Sequence, residues 1–290
     1  MHVNEFRDRQ RSKWLRVAGT WYDTEPPAIP SLDDLAIFSR AIGDSPEPSR
    51  VLVLGSTPSL RAVAAERAAS SGGVTLVMDL SSEMYEGSSA YAIHDLSGEK
   101  FIQSDWCAPS IASDQLSGIV GDKIIDNIAI GEWPRFFSEM RRILLADGKL
   151  VLHVGLTDEL QTVSAPIVAL ASWAMKVREE RKSVAEASAG LWEDLLSASW
   201  DRGPGGALSL SYWEPELTAL RERSLGSVER QIVTRLFADF GSTFWDVWSD
   251  CRLPIILTTA LDYFDLTSLH FAGDYLQASQ QPIMVFRPKR

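Results

Sequence analysis

Between Val51 and Val154 the chain alternates short, continuous apolar runs with stretches of helical composition, and no other feature narrows its fold as much. Val51-Leu52-Val53-Leu54 is one such run, ended by Gly55; Val74-Thr75-Leu76-Val77-Met78 is a second, closed by Asp79. Leu116 to Val120 reads as a further strand, ending at Gly121-Asp122, and Lys149 to Val154 is another apolar strand, entered through an Asp147-Gly148 turn. Apolar residues at successive positions mark strands buried on both faces. Ser59 to Ser70 and Trp133 to Leu145 read as helices, and a further short helical piece begins at Ser82 to Met84. Strands alternating with helices imply right-handed crossovers and a parallel sheet covered on both sides.

The flanks differ from this core. Val3 to Ala18 reads as a charged amphipathic helix with Phe6, Trp14, Leu15 and Val17 on its apolar side. Pro26, Pro27 and Pro30 form a turn, and Ser31 caps a helix over Leu32 to Ile42 whose first turn holds Asp33 and Asp34. At the other end, Phe264 to Phe271 and Pro282 to Phe286 read as two strands paired antiparallel at the sheet edge. Roughly 100 residues separate them from the strand ending at Val154, too many for a simple crossover, with helix signals and Trp173, Trp192, Trp200, Trp213, Trp245 and Trp248. The expected organisation is a helical lid over 1–48, an α/β core over 49–156, a helical substrate-covering insertion over 157–260, and a C-terminal hairpin over 261–290 that completes the sheet.

Composition excludes several classes. A net charge of −11 argues against binding the backbone of nucleic acids. The most apolar stretch, Ala165 to Met175, is too short to span a bilayer, and the mixed-charge first ten residues lack the apolar centre of a signal peptide. Cys107 and Cys251 lie outside any metal-ligand spacing, and four scattered histidines offer no zinc or iron site. The expectation is a soluble, cytoplasmic protein acting on a small molecule, with no nucleic-acid or membrane partner and no metal.

Three spaced features suggest a ligand. Leu54-Gly55-Ser56-Thr57-Pro58-Ser59 is a strand-to-helix turn in which Gly55 lets a ligand approach the backbone. It lacks the G-x-G-x-x-G of dinucleotide sites and does not resemble a P-loop. Asp79, closing the second strand, is placed to accept both ribose hydroxyls of an adenosine. Ser104-Asp105-Trp106 follows, with Asp105 suited to the adenine amino group and Trp106 to the ring; then comes Asp122, where the sheet order reverses. Singly, each reads as an ordinary turn or loop residue. Their order along the chain favours the ligand.

At these residues the chain resembles class I S-adenosylmethionine-dependent methyltransferases. The resemblance runs through Val51 to Pro58, Val77 to Met84, Ser104 to Trp106, Gly121-Asp122, and Met140 to Leu152. It looks closest to a bacterial branch with a Gly-x-Thr-Pro loop and a Trp- and Pro-rich lead-in like Trp21 to Ser31. It covers about Trp14 to Val154 and, more loosely, the last hairpin. The resemblance implies a Rossmann-like, seven-stranded, mostly parallel sheet with an antiparallel last strand. It implies S-adenosylmethionine as cofactor, with Gly55, Ser56, Thr57 and Pro58 around its methionine part. Asp79 and the adjoining Leu80 would lie at the ribose, Asp105 and Trp106 at the adenine, and Asp122 near the cofactor amino group or the acceptor. The loop departs from the family's commoner Gly-x-Gly-x-Gly, which loosens the assignment of backbone contacts.

Methyl transfer is an in-line displacement, so alignment of the acceptor and exclusion of water carry most of the catalysis. A general base is needed only for a protonated acceptor. Asp122, Asn127, His153 and Tyr22 are the candidates, His153 also reading as a core histidine in an apolar strand. Tyr22, Trp106, Tyr212 and Trp213 could cage a sulfonium cation. Such a cage leaves open a cyclase or lyase that releases methylthioadenosine from the cofactor alone, and a third reading is a catalytically silent binding domain.

Overall fold

In chain order the regular elements are α1 (Leu32–Gly43), β1 (Arg50–Leu54), α2 (Pro58–Ser71), β2 (Val74–Asp79), α3 (Ser82–Ser89), β3 (Glu99–Gln103), β4 (Leu116–Asp122), α4 (Trp133–Ile143) and β5 (Leu144–His153). They continue with α5 (Pro166–Arg178), α6 (Val184–Ser197), β6 (Asp201–Gly203), β7 (Ala207–Ser209), α7 (Glu214–Glu222), α8 (Ser227–Phe240), β8 (Val247–Ser249), α9 (Leu253–Ala260), β9 (Phe264–His270) and β10 (Ile283–Pro288). The computed structural model describes residues 24–26, 28–43, 48–156, 165–197, 201–203, 207–209, 214–240, 247–249, 251–275 and 277–290. The helix expected over Val3 to Ala18, and Tyr22, Tyr212 and Trp213, lie outside the described residues.

Seven strands form one sheet in the order β3-β2-β1-β4-β5-β10-β9. The first five are parallel, and β10 runs antiparallel to both β5 and β9. This is the expected mostly parallel sheet with an antiparallel last strand. The two-residue period of a strand sorts its side chains between the faces. Leu52, Leu54, Leu76, Met78, Leu150 and Leu152 meet α4 through Trp133, Phe136, Phe137 and Met140, and α9 through Ile256 and Ala260. The intervening Val51, Val53, Val77, Val120 and Val151 meet α1 through Ile37, Phe38 and Ile42, and α2 through Leu60 and Ala64. Double-sided burial is what the unbroken apolar runs require.

Three local features differ from expectation. The helix expected to reach Leu145 stops at Ile143, and β5 begins at Leu144. Asp147-Gly148 therefore lies inside β5, where the register against β4 jumps from Leu116↔Leu144 to Gly118↔Lys149. A Cβ on Gly148 would stand 3.1 Å from the carbonyl oxygen of Leu116, a tight contact that glycine relieves where the chain closes on β4. The edge strand β3 was not anticipated. It pairs on one side and is only partly buried, so it lacks a continuous apolar run.

Beyond β5, helices α5 to α8 assemble a separate apolar core around Leu170, Leu191, Trp192, Leu217, Ile232 and Leu236. Strands β6, β7 and β8 add a small antiparallel sheet. Trp173 donates its indole N–H to Asp194 at 2.8 Å and carries Lys176 3.5 Å above its ring. Trp173 and Trp192 thus serve packing. Among the described residues no helix is long and apolar enough to cross a membrane.

Candidate functional site

At the C-terminal ends of the parallel strands, connections from β1 lead one way and those from β4 the other, a switch point that is the usual ligand position in such sheets. On the β1 side, Gly55 takes φ +76°, a conformation costly for residues with a Cβ. Its N–H donates to the Met78 carbonyl at 2.9 Å, tying the turn to β2. Thr57 stands at the N-cap of α2 and Pro58 opens the helix; the Thr57 hydroxyl makes no capping bond.

Ser56 is buried and donates its hydroxyl to Asp79 Oδ2 at 2.8 Å, while Asp79 Oδ1 accepts the Ser81 N–H at 3.1 Å. Burial pushes the Asp79 carboxyl above its ordinary range, opposed by these hydrogen bonds. The Leu80 carbonyl accepts from Gln103 at 3.2 Å. Asp105 Oδ1 accepts the Cys107 N–H at 2.9 Å, and the Trp106 indole donates to the Met78 carbonyl at 2.8 Å. A Cβ on Gly55 would lie 3.7 Å from the Trp106 ring and 3.4 Å from Ile124, so ring and turn are neighbours. The residues expected at a cofactor, Gly55 to Pro58, Asp79, Leu80, Asp105 and Trp106, all gather at the tips of β1, β2 and β3.

On the β4 side the structure joins Asp122 to His153, Oδ1 to Nδ1, at 2.7 Å. His153 is fully buried, and Asp122 nearly so. Its Nε2 faces the Tyr275 hydroxyl at 3.4 Å and Asp34 Oδ1 at 3.9 Å. Asp34 reaches this position through a reciprocal cap: its Oδ2 accepts the Ser31 N–H at 2.9 Å, and its own N–H donates to the Ser31 hydroxyl at 3.1 Å. Oδ1 is then left buried without a hydrogen-bond partner among the described residues. Burial raises the Tyr275 phenol above its ordinary range, and the charges of Asp34 and Asp122 add to this. The 273–274 loop is pinned to α1 by Gly273 N–H to Asp33 Oδ2 at 3.1 Å and Asp33 N–H to Asp274 Oδ2 at 3.2 Å. The Asn127 amide donates to the Lys123 carbonyl at 2.7 Å and so braces the turn after β4.

Sequence reasoning passed over Asp126, between the two residues it chose. Burial pushes this carboxyl up to about 6, against the lowering influence of Lys123 and of backbone N–H groups. Its Oδ2 accepts the Gly155 N–H at 3.3 Å, and the Cys251 thiol lies 3.7 Å from Oδ1. The available signal was an acid set directly behind the apolar Ile124-Ile125 pair. Among the described residues no group of three or more His, Cys, Asp or Glu could hold a metal ion.

No family model matches the sequence, and no curated protein matches it. Solved structures do match. A Rhodobacter sphaeroides structure described as a Zn-dependent alcohol dehydrogenase superposes with a TM-score of 0.59 at 15% identity, over 99% of this chain and 100% of its own. The PH0226 protein of Pyrococcus horikoshii OT3 gives 0.50 at 14% identity, over 83% and 82%. A Listeria monocytogenes structure described as an S-adenosylmethionine-dependent methyltransferase gives 0.50 at 12% identity, over 88% and 98%. These similarities establish a shared Rossmann-like fold.

Proposed function

We propose that this protein binds S-adenosylmethionine at the tips of β1 to β3 and transfers its methyl group to a small molecule. One observation carries the reading. The positive-φ turn at Gly55 and the partly buried carboxylate of Asp79 stand on adjacent strand tips, bridged by the Ser56 hydroxyl at 2.8 Å. A hydroxyl already on that carboxylate marks it as a receptor for hydroxyls, and the two oxygens retain further acceptor capacity for a ribose diol. Gly55 to Pro58 take the methionine part, Leu80 lies at the ribose, and Asp105 and Trp106 take the adenine. The cofactor supplies an electrophilic methyl group on a sulfonium. The protein's own residues orient the acceptor and exclude water. Asp122, held by His153, presents a carboxylate at the switch point.

The test is a calorimetric titration with S-adenosylhomocysteine. Micromolar binding is expected, weakened by about 1.5–3 kcal/mol in Asp79→Ala through loss of charge-assisted hydrogen bonds. Unchanged affinity in that variant removes Asp79 from the ribose, and no binding by the folded wild type removes the reading altogether.

A further inference from the structure

The helical insertion carries a groove of about 690 Å³ along α8, within the size range of small-molecule sites. Val184, the first residue of α6, and Leu225, in the turn before α8, line it with apolar side chains that also pack on the insertion core. At about 100° per residue, Thr234 and Ala238 fall on one line down α8, with Arg230 to one side of that line and Arg235 to the other. Arginine carries its charge at the end of an apolar stem, so both flanks add methylene surface as well as charge.

This placement of charge runs against the rest of the chain. The net charge is −11, yet residues 221–238 hold four arginines, at 221, 223, 230 and 235, against two glutamates, at 222 and 229. Glu229 is already paired with Arg178 on α5, and Arg221 lies 4.5 Å above the Phe237 ring. Arg230 donates to the Leu225 carbonyl at 3.3 Å, which ties its guanidinium to the apolar end of the groove. A guanidinium held in this way has further N–H donors, in the fork that a carboxylate fits. A purely apolar ligand would gain nothing from the two arginines, and a purely ionic one nothing from Val184 and Leu225.

We propose that the groove binds an amphipathic carboxylate, its head held by Arg230 and Arg235 and its alkyl tail lying over Val184 and Leu225. None of these residues is assigned to the cofactor, and the inference stands independently of methyl transfer.

Octanoate is the probe, titrated calorimetrically into the full chain, with 1-octanol and acetate as controls that keep only the tail or only the head. Saturable octanoate binding is expected, about tenfold or more tighter than either control, because charge-assisted hydrogen bonds and tail burial are each worth at least that factor. Arg230→Gln and Arg235→Gln should each weaken octanoate about tenfold and leave octanol unaffected. Thr234→Trp, at an exposed helix position, fills the groove and should abolish binding while circular dichroism shows the fold retained. The proposal is overturned if millimolar octanoate shows no saturable binding, if octanol or acetate binds as tightly, or if the arginine variants or Thr234→Trp leave octanoate affinity intact.

Discussion

The two halves of the crevice are built in opposite ways. At the tips of β1 and β2 the polar groups are small and locally supplied: a glycine at φ +76°, one serine hydroxyl, one carboxylate. At the tips of β4 and β5, Asp34, Asp122, Asp126, His153, Tyr275 and Gln281 come from α1, β4 and the turn after it, β5, and the loop between β9 and β10. The first half holds hydrogen bonds that a ligand hydroxyl can replace or extend. The second holds buried polar groups that hydrogen-bond one another and link α1 to the sheet. A binding surface gains from exchangeable partners, whereas an enclosed network of polar groups fixes where its members sit.

Removing the imidazole should break this comparison most forcibly. His153→Ala leaves Asp122 buried without its hydrogen-bond partner and opens a cavity in the core, together costing about 3–4 kcal/mol. Urea unfolding measures the loss; a cost below about 1 kcal/mol would show that the network does not hold α1 in place.

Next in size is Asp126→Asn, whose effect depends on pH. The folded carboxyl titrates at about 6 against an ordinary 3.8, so the folded state favours the protonated form. The stability this contributes is complete below the unfolded value and is lost as pH rises through about 6. Asparagine does not ionise, so the variant should gain on the wild type between about pH 4 and pH 7, by up to about 3 kcal/mol. Thermal unfolding across that range checks it, and a gap that stays flat or narrows contradicts the burial of this carboxylate.

The β1 half should respond in smaller steps and in binding more than in stability. Asp79→Ala is expected to lower ligand affinity by about 1.5–3 kcal/mol while leaving stability nearly unchanged, because burial already disfavours that charge. Gly55→Ala should cost about 1–2 kcal/mol of stability through the positive φ alone, the space around its Cβ being ordinary contact distance. Equal losses of affinity and stability in Asp79→Ala would erase the distinction between the halves.

Much of the first half was legible in the sequence. A doubly buried strand is written as a continuous apolar run, a positive-φ turn as glycine, and a strand end as Asp79, each a matter of neighbouring residues. The edge strand β3 was not legible, because one exposed side removes the apolar run. Nor was the bulge at Gly148, which answers to the Leu116 carbonyl on another strand. Asp122 and His153 were each identified without their bond, and Asp126 and Gln281 were not singled out at all.

By itself the sequence determined the strand alternation, the Gly55 turn and the place of Asp79, since side-chain period and turn chemistry act over a few residues. Tertiary structure alone decided which charges are buried together. Asp33 and Asp274, 241 residues apart, are joined by a hydrogen bond. Desolvation and pairing depend on what packs against a group, and the packing partners of His153 and Asp126 come from elements distant in the chain.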